Sequence, residues 1–174
     1  KHSDAFYDKN ICLLASMDIS GIQSFIYTIA TKKALQTLRA RSFYLEILME
    51  NMIDNLLDKL HLSRANLLYS GGGHCYLLIP NTDESKKTFY QSLEEINQWF
   101  LDQFDIALYI AGGAAECSCN TLKNKPTGAY GELFRTVSTE ISKKKSCRYT
   151  ADQIRYMNRK RKEDHSRECK VCKR

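Results

Sequence analysis

The sequence contains no uncharged apolar run near the ~18–20 residues that a membrane-spanning helix needs. Its apolar stretches, such as residues 11–15 and 106–111, are only strand-sized. It also lacks a basic n-region followed by an apolar h-region. Membrane insertion and secretion are therefore not expected, and the expected compartment is the cytoplasm. Its seven cysteines are an odd number, which with no secretory signal argues for free thiols in a reducing compartment, not a disulfide framework. Cys12 and Cys75 sit inside apolar runs, where a thiol behaves as a small core hydrophobe. Cys117-x-Cys119 has poor metal-ligand spacing and reads as structural. No internal repeat is visible. What is present, 174 residues of which 43% are hydrophobic and 26% charged, suits one domain with a real core plus an appendage.

The net charge of +6 is unevenly distributed. Residues 143–174 hold 13 Lys/Arg against 4 Asp/Glu, a local charge of +9, so the remainder carries −3. A basic segment attracts polyanions by counterion release, which makes nucleic acid a sensible partner; a solvated linker rich in lysine is the alternative.

Residues 1–10 are polar and read as a flexible lead-in. Residues 11–17 form a continuous apolar run ending at Asp18, as in a buried central strand. A turn follows, with Ser20 placed to cap a helix. From Leu38 to Leu60 the apolar positions fall at helical spacing, with Glu46, Glu50, Asn51, Asn55 and Asp58 on the outer face. Residues 66–70 and 75–79 are strand-length runs joined by Gly71, Gly72, Gly73 and His74, a hairpin signal. Residues 84–104 predict a second helix, 106–111 a fourth strand running into Gly112 and Gly113, and Tyr130, Leu133, Phe134, Val137 and Ile141 a third helix. The order is the α+β, ferredoxin-like βαββαβ arrangement with extra C-terminal helices. It predicts a four-stranded antiparallel sheet with helices on one face and the first strand beside the hairpin. The expected division is a palm-like domain over 11–148 and a basic connector over 149–174.

That arrangement brings residues 18–25 and the Tyr69–His74 segment together at one end of the sheet. Glycines let backbone approach phosphate oxygens, and N–H groups at a helix start offer unpaired donors. A carboxylate at a strand end can hold Mg²⁺ bridging phosphates. Three blocks in order, DISGIQSFIY, LRARSFYLEILME and LLYSGGGHCYLLIP, resemble the first palm domain of the large palm subunit of type III CRISPR–Cas interference complexes, in the Csm subtype. In that family a second palm, downstream of a zinc-binding region, carries a Gly-Gly-Asp-Asp hairpin. The two palms bind ATP between them and make cyclic oligoadenylates when target RNA is bound, and a nuclease HD domain normally comes first. The resemblance implies ATP with Mg or Mn as cofactors of the parent complex. It implies as partners the second palm, neighbouring Csm subunits, and guide and target RNA.

Here Gly73 and His74 stand where an active hairpin has two aspartates after Gly-Gly. Two-metal phosphoryl transfer needs several carboxylates to hold ions about 4 Å apart, and Asp18 alone cannot. This palm is thus expected to be a nucleotide-holding, catalytically degenerate half. Its candidate nucleotide contacts are Asp18, Ile19, Ser20, Gly21, Ser70, Gly71, Gly72, Gly73 and His74, with Arg39, Arg41 and Ser42 as phosphate contacts and Asp18 as a Mg ligand. Each also has a structural reading: Asp18 as a cap, the glycines as turn formers, His74 as a strand start, the arginines as solvated helix charges. His165, Cys169 and Cys172 give His-x3-Cys-x2-Cys. In the resembled family a second cysteine pair completes the tetrahedral zinc site, so Cys169 and Cys172 are half of one. Arg155, Arg159, Lys160, Arg161 and Lys162 could track RNA or a neighbouring subunit, and Tyr149 and Tyr156 could stack on bases. The competing readings are a non-enzymatic scaffold for protein or RNA, a diguanylate cyclase (which the missing acidic pair opposes), and an RNA-recognition domain. The last would need more exposed aromatics on the central strands than Tyr76.

Overall fold

A computed structural model describes residues 2–27 and 34–160. In chain order it contains α1 (His2–Tyr7), β1 (Cys12–Ser20), α2 (Ile22–Tyr27), α3 (Ala34–Lys59), β2 (Leu67–Gly71), β3 (His74–Pro80), α4 (Asp83–Phe104), β4 (Tyr109–Cys117), α5 (Cys119–Leu122), α6 (Ala129–Ser146) and α7 (Ala151–Lys160). The strands form one antiparallel sheet in the order β2-β3-β1-β4. This is the ferredoxin-like order, with the first strand between the hairpin and the last strand.

Strand side chains alternate between faces, and β1 shows what each face meets. Leu13, Ala15, Met17 and Ile19 enter a core built with Met49, Ile53 and Leu56 of α3 and Phe89, Leu93 and Phe100 of α4. Leu14 enters a second core with Leu133, Val137 and Ile141 of α6. The helices therefore do not share one face, as the sequence suggested. The third helix crosses to the opposite face and packs on β1 and β4, while Leu68 and Tyr69 on β2 stay exposed.

The last strand also differs from expectation: it starts at Tyr109 and continues through both glycines to Cys117. The cause is packing from both sides. A Cβ on Gly112 would lie 2.2 Å from Leu93 Cδ1 of α4, and one on Gly113 would lie 2.8 Å from the Val137 carbonyl oxygen of α6. Glycine inside a strand commonly marks such close approach.

β4 is an edge strand, and α4 blunts part of it. Asn97 Nδ2 donates to the Ile110 carbonyl at 2.9 Å, and Ile110 N–H donates back to Asn97 Oδ1 at 2.9 Å. A side-chain amide thus takes the place of a partner strand. Thr82 caps α4, its hydroxyl accepting from the Ser85 N–H at 3.1 Å, and Asp83 and Glu84 favour the positive end of the helix. The lead-in holds the short helix α1, tied to the domain where Asn120 Nδ2 donates to Asp8 Oδ1 at 2.6 Å. α6 ends with Lys143, Lys144 and Lys145, cations that suit the negative helix end.

Candidate nucleotide site at the hairpin end

The two segments singled out in the sequence do meet. Asp18 lies opposite His74 across β1 and β3, and Ile19 N–H donates to the Gly73 carbonyl at 2.8 Å. The strands β2 and β3 extend further toward each other than the sequence suggested, leaving a two-residue turn, Gly72-Gly73. Both have positive φ, +62° and +81°, as a type I′ hairpin requires. The turn itself therefore accounts for two of the three glycines. Gly72 opens to free space, whereas a Cβ on Gly71 would lie 2.7 Å from the Tyr69 hydroxyl. Gly21, at φ +93°, has its α-carbon against the Ala107 carbonyl, so it serves the turn after β1.

The candidate residues then divide between the two faces of the sheet. On the α3 side a cleft of about 310 Å³ is lined by Ser70, Gly71, Gly72, Gly73, Ser42 and Glu50, among others. Ser70 Oγ donates to Glu50 Oε1 at 2.7 Å, and Arg64 holds the other oxygen of Glu50. The Ser70 hydrogen bond and the Arg64 contacts keep the Glu50 carboxyl below its ordinary range. Of the three phosphate-contact candidates only Ser42 reaches this cleft. Arg41 Nη1 donates to the Phe25 carbonyl at 2.5 Å and its guanidinium sits over the Phe25 ring, away from the hairpin. Arg39 is exposed on α3.

Asp18 and His74 point to the other face. Asp18 Oδ2 accepts from Lys145 Nζ at 2.8 Å and lies 3.4 Å from His74 Nδ1. His74 Nε2 lies 3.4 Å from Ser16 Oγ. Burial pushes the Asp18 carboxyl up, but the His74 and Lys145 hydrogen bonds and charges outweigh it and leave the group below its ordinary value. Serine, histidine and aspartate stand in the order of a hydrolytic relay, yet Ser16 is fully buried. No substrate can reach its oxygen, so the arrangement is a tether, not a nucleophile. The His74 ring continues outward by edge contacts to Tyr76 at 4.6 Å and from Tyr76 to Phe134 at 4.9 Å, and by a tilted contact from Phe134 to Tyr130 at 4.8 Å. Two buried hydroxyls near this end have no hydrogen-bond partner among the described residues: Ser20 Oγ, on the Asp18 face of β1, and Tyr149 Oη. The Tyr149 ring packs at 5.8 Å on Tyr109, which lies opposite Ser20 in the sheet.

Lys145 is the residue that sequence reasoning missed, because it stands in the basic segment over 143–174, whose lysines read as polyanion contacts or as a solvated linker. Its signal was the period of the third helix, which continues from Ile141 to Ser146 and carries it over the sheet. Cys75 is buried, and burial pushes its thiol up to about 12, so it is an inert core residue. Cys117 is likewise buried, with its thiol raised to about 11. His165, Cys169 and Cys172 lie outside the described residues. Among the described residues no group of three or more His, Cys, Asp or Glu side chains is placed to hold a metal ion. A separate cleft of about 320 Å³ between α3 and α4, beside Trp99, shares no residue with the hairpin cleft.

A four-stranded βαββαβ sheet with its glycine hairpin beside the end of the first strand is a palm-type domain. Comparison with known proteins places it more closely: residues 11–160 match the family model described as Csm1 subunit domain B, and the chain belongs to that family. It is 46% identical over 184 residues to a Mycobacterium tuberculosis protein named CRISPR system single-strand-specific deoxyribonuclease Cas10/Csm1 (subtype III-A), with 97% of this chain and 22% of that protein covered. It is 44% identical to the protein of the same name from Enterococcus italicus, with 96% and 22% covered. The chain therefore spans about a fifth of the length of these relatives. Among solved structures, an apo Csm1–Csm4 cassette superposes with TM-score 0.79 at 28% identity, covering 90% of this chain and 21% of that one. A Csm1–Csm4 cassette in complex with one ATP gives 0.73 at 29% identity, covering 79% and 19%. Among the described residues no helix is long and apolar enough to cross a membrane.

Proposed function

We propose that this chain is the nucleotide-holding palm of a type III CRISPR subunit that makes cyclic oligoadenylates. It would bind ATP, with Mg or Mn in the parent complex, and present it to a second, catalytic palm of the same polypeptide. The observation that carries this reading is the hairpin end. Gly72, where a side chain's Cβ would meet no described atom within 4 Å, opens beside a cleft of about 310 Å³, and Gly73 and His74 stand where an active hairpin would supply its acids. Backbone N–H groups at such a turn can face phosphate oxygens, while one carboxylate cannot support two-metal transfer. Solved structures similar to this chain include a Csm1–Csm4 cassette in complex with AMPPNP and another in complex with cA4, which supports the same class of ligand here. The deoxyribonuclease activity in the relatives' names is assigned to other parts of the parent chain, as is the second half of a zinc site using Cys169 and Cys172.

The test is an amide-resonance titration of the 174-residue chain with ATP and Mg²⁺, with GTP as control. Shifts confined to residues 18–21 and 70–74 are expected. The chain alone should make no oligoadenylate. Turnover that survives a contaminant check and vanishes in Asp18→Ala would overturn the degenerate reading; no shift at high ATP would overturn nucleotide holding by this half.

A second reading, an interaction scaffold within the same complex that contacts neighbouring Csm subunits and guide or target RNA, is favoured by the apolar side chains on α3. Leu35, Phe43 and Ile47 are all more than half exposed. The two readings are compatible, and binding to a neighbouring subunit without any nucleotide effect would leave only the second.

A further inference from the structure

We propose that Lys145 is the resident cation of this palm. Its ammonium takes on Asp18 the place that a divalent metal takes at the strand end of an active palm, so this half meets phosphate with an ammonium instead of a metal. The inference rests on the nucleotide reading for its biological ligand and on geometry for its chemistry.

Three observations support it. Lys145 Nζ is 2.8 Å from Asp18 Oδ2, and His74 Nδ1 approaches the same oxygen at 3.4 Å. A metal at that oxygen must displace an ammonium already in a charge-assisted hydrogen bond, and the described residues offer no cluster of three donors to receive it. The expected magnesium ligand therefore does not fit the donor set. Secondly, both partners reach solvent, with about a third of the Lys145 side chain and a quarter of the Asp18 side chain exposed. An ammonium has three N–H donors; one serves Asp18, and the accessible face of the group can turn the others to an anion. Thirdly, the buried hydroxyls without a partner among the described residues, Ser20 Oγ and Tyr149 Oη, both lie toward this end of the sheet. Unpaired buried polar groups are uncommon and call for a partner such as an ordered water, so this end of the sheet is polar beyond the ion pair itself. Lys145 comes to this place because α6 runs one turn beyond its last core residue, Ile141.

Two titrations of the 174-residue chain, read by amide resonances, test the proposal. In the first, Mn²⁺ is added without nucleotide. The wild-type resonances of Asp18 and His74 are expected to stay sharp; selective paramagnetic broadening of both would place a metal there and overturn the proposal. In the second, inorganic tripolyphosphate is added in EDTA. Shifts at Asp18, Ser20, His74 and Lys145 are expected, with affinity at least tenfold weaker in Lys145→Met and largely kept in Lys145→Arg. Equal affinity in wild type and Lys145→Met, or no wild-type shift, would overturn the ammonium's role. Failure of the nucleotide reading looks different: tripolyphosphate would bind through Lys145 while ATP left residues 70–74 unmoved. If instead ATP moved those residues and Mn²⁺ alone broadened Asp18, the nucleotide reading would stand without this one.

Discussion

Along β1, Leu13, Ala15, Met17 and Ile19 all face α3 and α4, and none is more than 4% exposed. The alternate residues on the opposite face change character along the strand: Leu14 packs under α6, Ser16 is buried against His74, Asp18 is ion-paired and Ser20 has an orphaned hydroxyl. One face is a closed apolar core. The other is apolar at one end and polar at the end where the hairpin turns, and there Asp18, His74 and Lys145 converge. The difference teaches that fold and candidate chemistry are written on alternate residues of a single strand, with the polar set confined to one end.

The largest effect that sharpens this contrast is expected in the closed core. Phe89 is fully buried between the sheet and α3, and Phe89→Ala should cost about 3–5 kcal/mol. On the opposite face Tyr76→Ala should cost distinctly less, because Tyr76 is only half-buried. Urea unfolding of both variants checks this; equal losses would mean that the α6 face is as much core as the other.

A smaller effect separates glycines that serve the turn from those that leave room. Gly21→Ala would place a Cβ 2.0 Å from the Ala107 carbonyl oxygen at φ +93°, a strained conformation costing about 1–3 kcal/mol. Gly72→Ala meets no neighbour within 4 Å and carries only the left-handed backbone penalty of about 1–2 kcal/mol. Thermal unfolding should rank Gly21→Ala as the more damaged. The reverse ranking would show that the hairpin, not the β1 turn, is the tighter point.

Much of this was legible in the sequence because periodicity reports local structure. The four strands, the three long helices and their order, the antiparallel sheet and the meeting of Asp18 with the hairpin all followed from apolar spacing and glycine placement, whereas the short helices α1 and α5 did not. Three further features did not follow, and each depends on contacts distant in sequence. The strand through Gly112 and Gly113 looked like a break, because what makes both glycines fit is Leu93 on one side and Val137 on the other. The face chosen by the third helix is invisible in its own period, which shows an apolar stripe but not which surface it meets. The Asp18–Lys145 pair, 127 residues apart, was hidden because a lysine in a basic run looks solvated. The glycine triplet is the converse case: it reads as a place for backbone to approach phosphate, and the positive φ of the turn already accounts for Gly72 and Gly73.

Asp18→Asn should give the smallest change and the most informative one, since it tests whether the polar end of β1 contributes through charge. Charge-assisted hydrogen bonds and partly exposed ion pairs together suggest a loss of about 1 kcal/mol at neutral pH. The folded-state carboxyl lies below its ordinary value, so the native state resists protonating it and the unfolded chain takes up the proton first. Its stabilisation is therefore present above the ordinary carboxylate value of about 3.9 and is lost as pH falls through the lower, folded value. Wild type and Asp18→Asn should differ at pH 7 and converge below about pH 3.9. High salt should narrow the gap at pH 7, because Lys145 and Asp18 both reach solvent. A gap that is the same at every pH and salt concentration would mean that Asp18 acts by shape alone. In that case Lys145 would hold no charge-based place on the sheet, and the polar end of β1 would be a continuation of the α6 core, not a site.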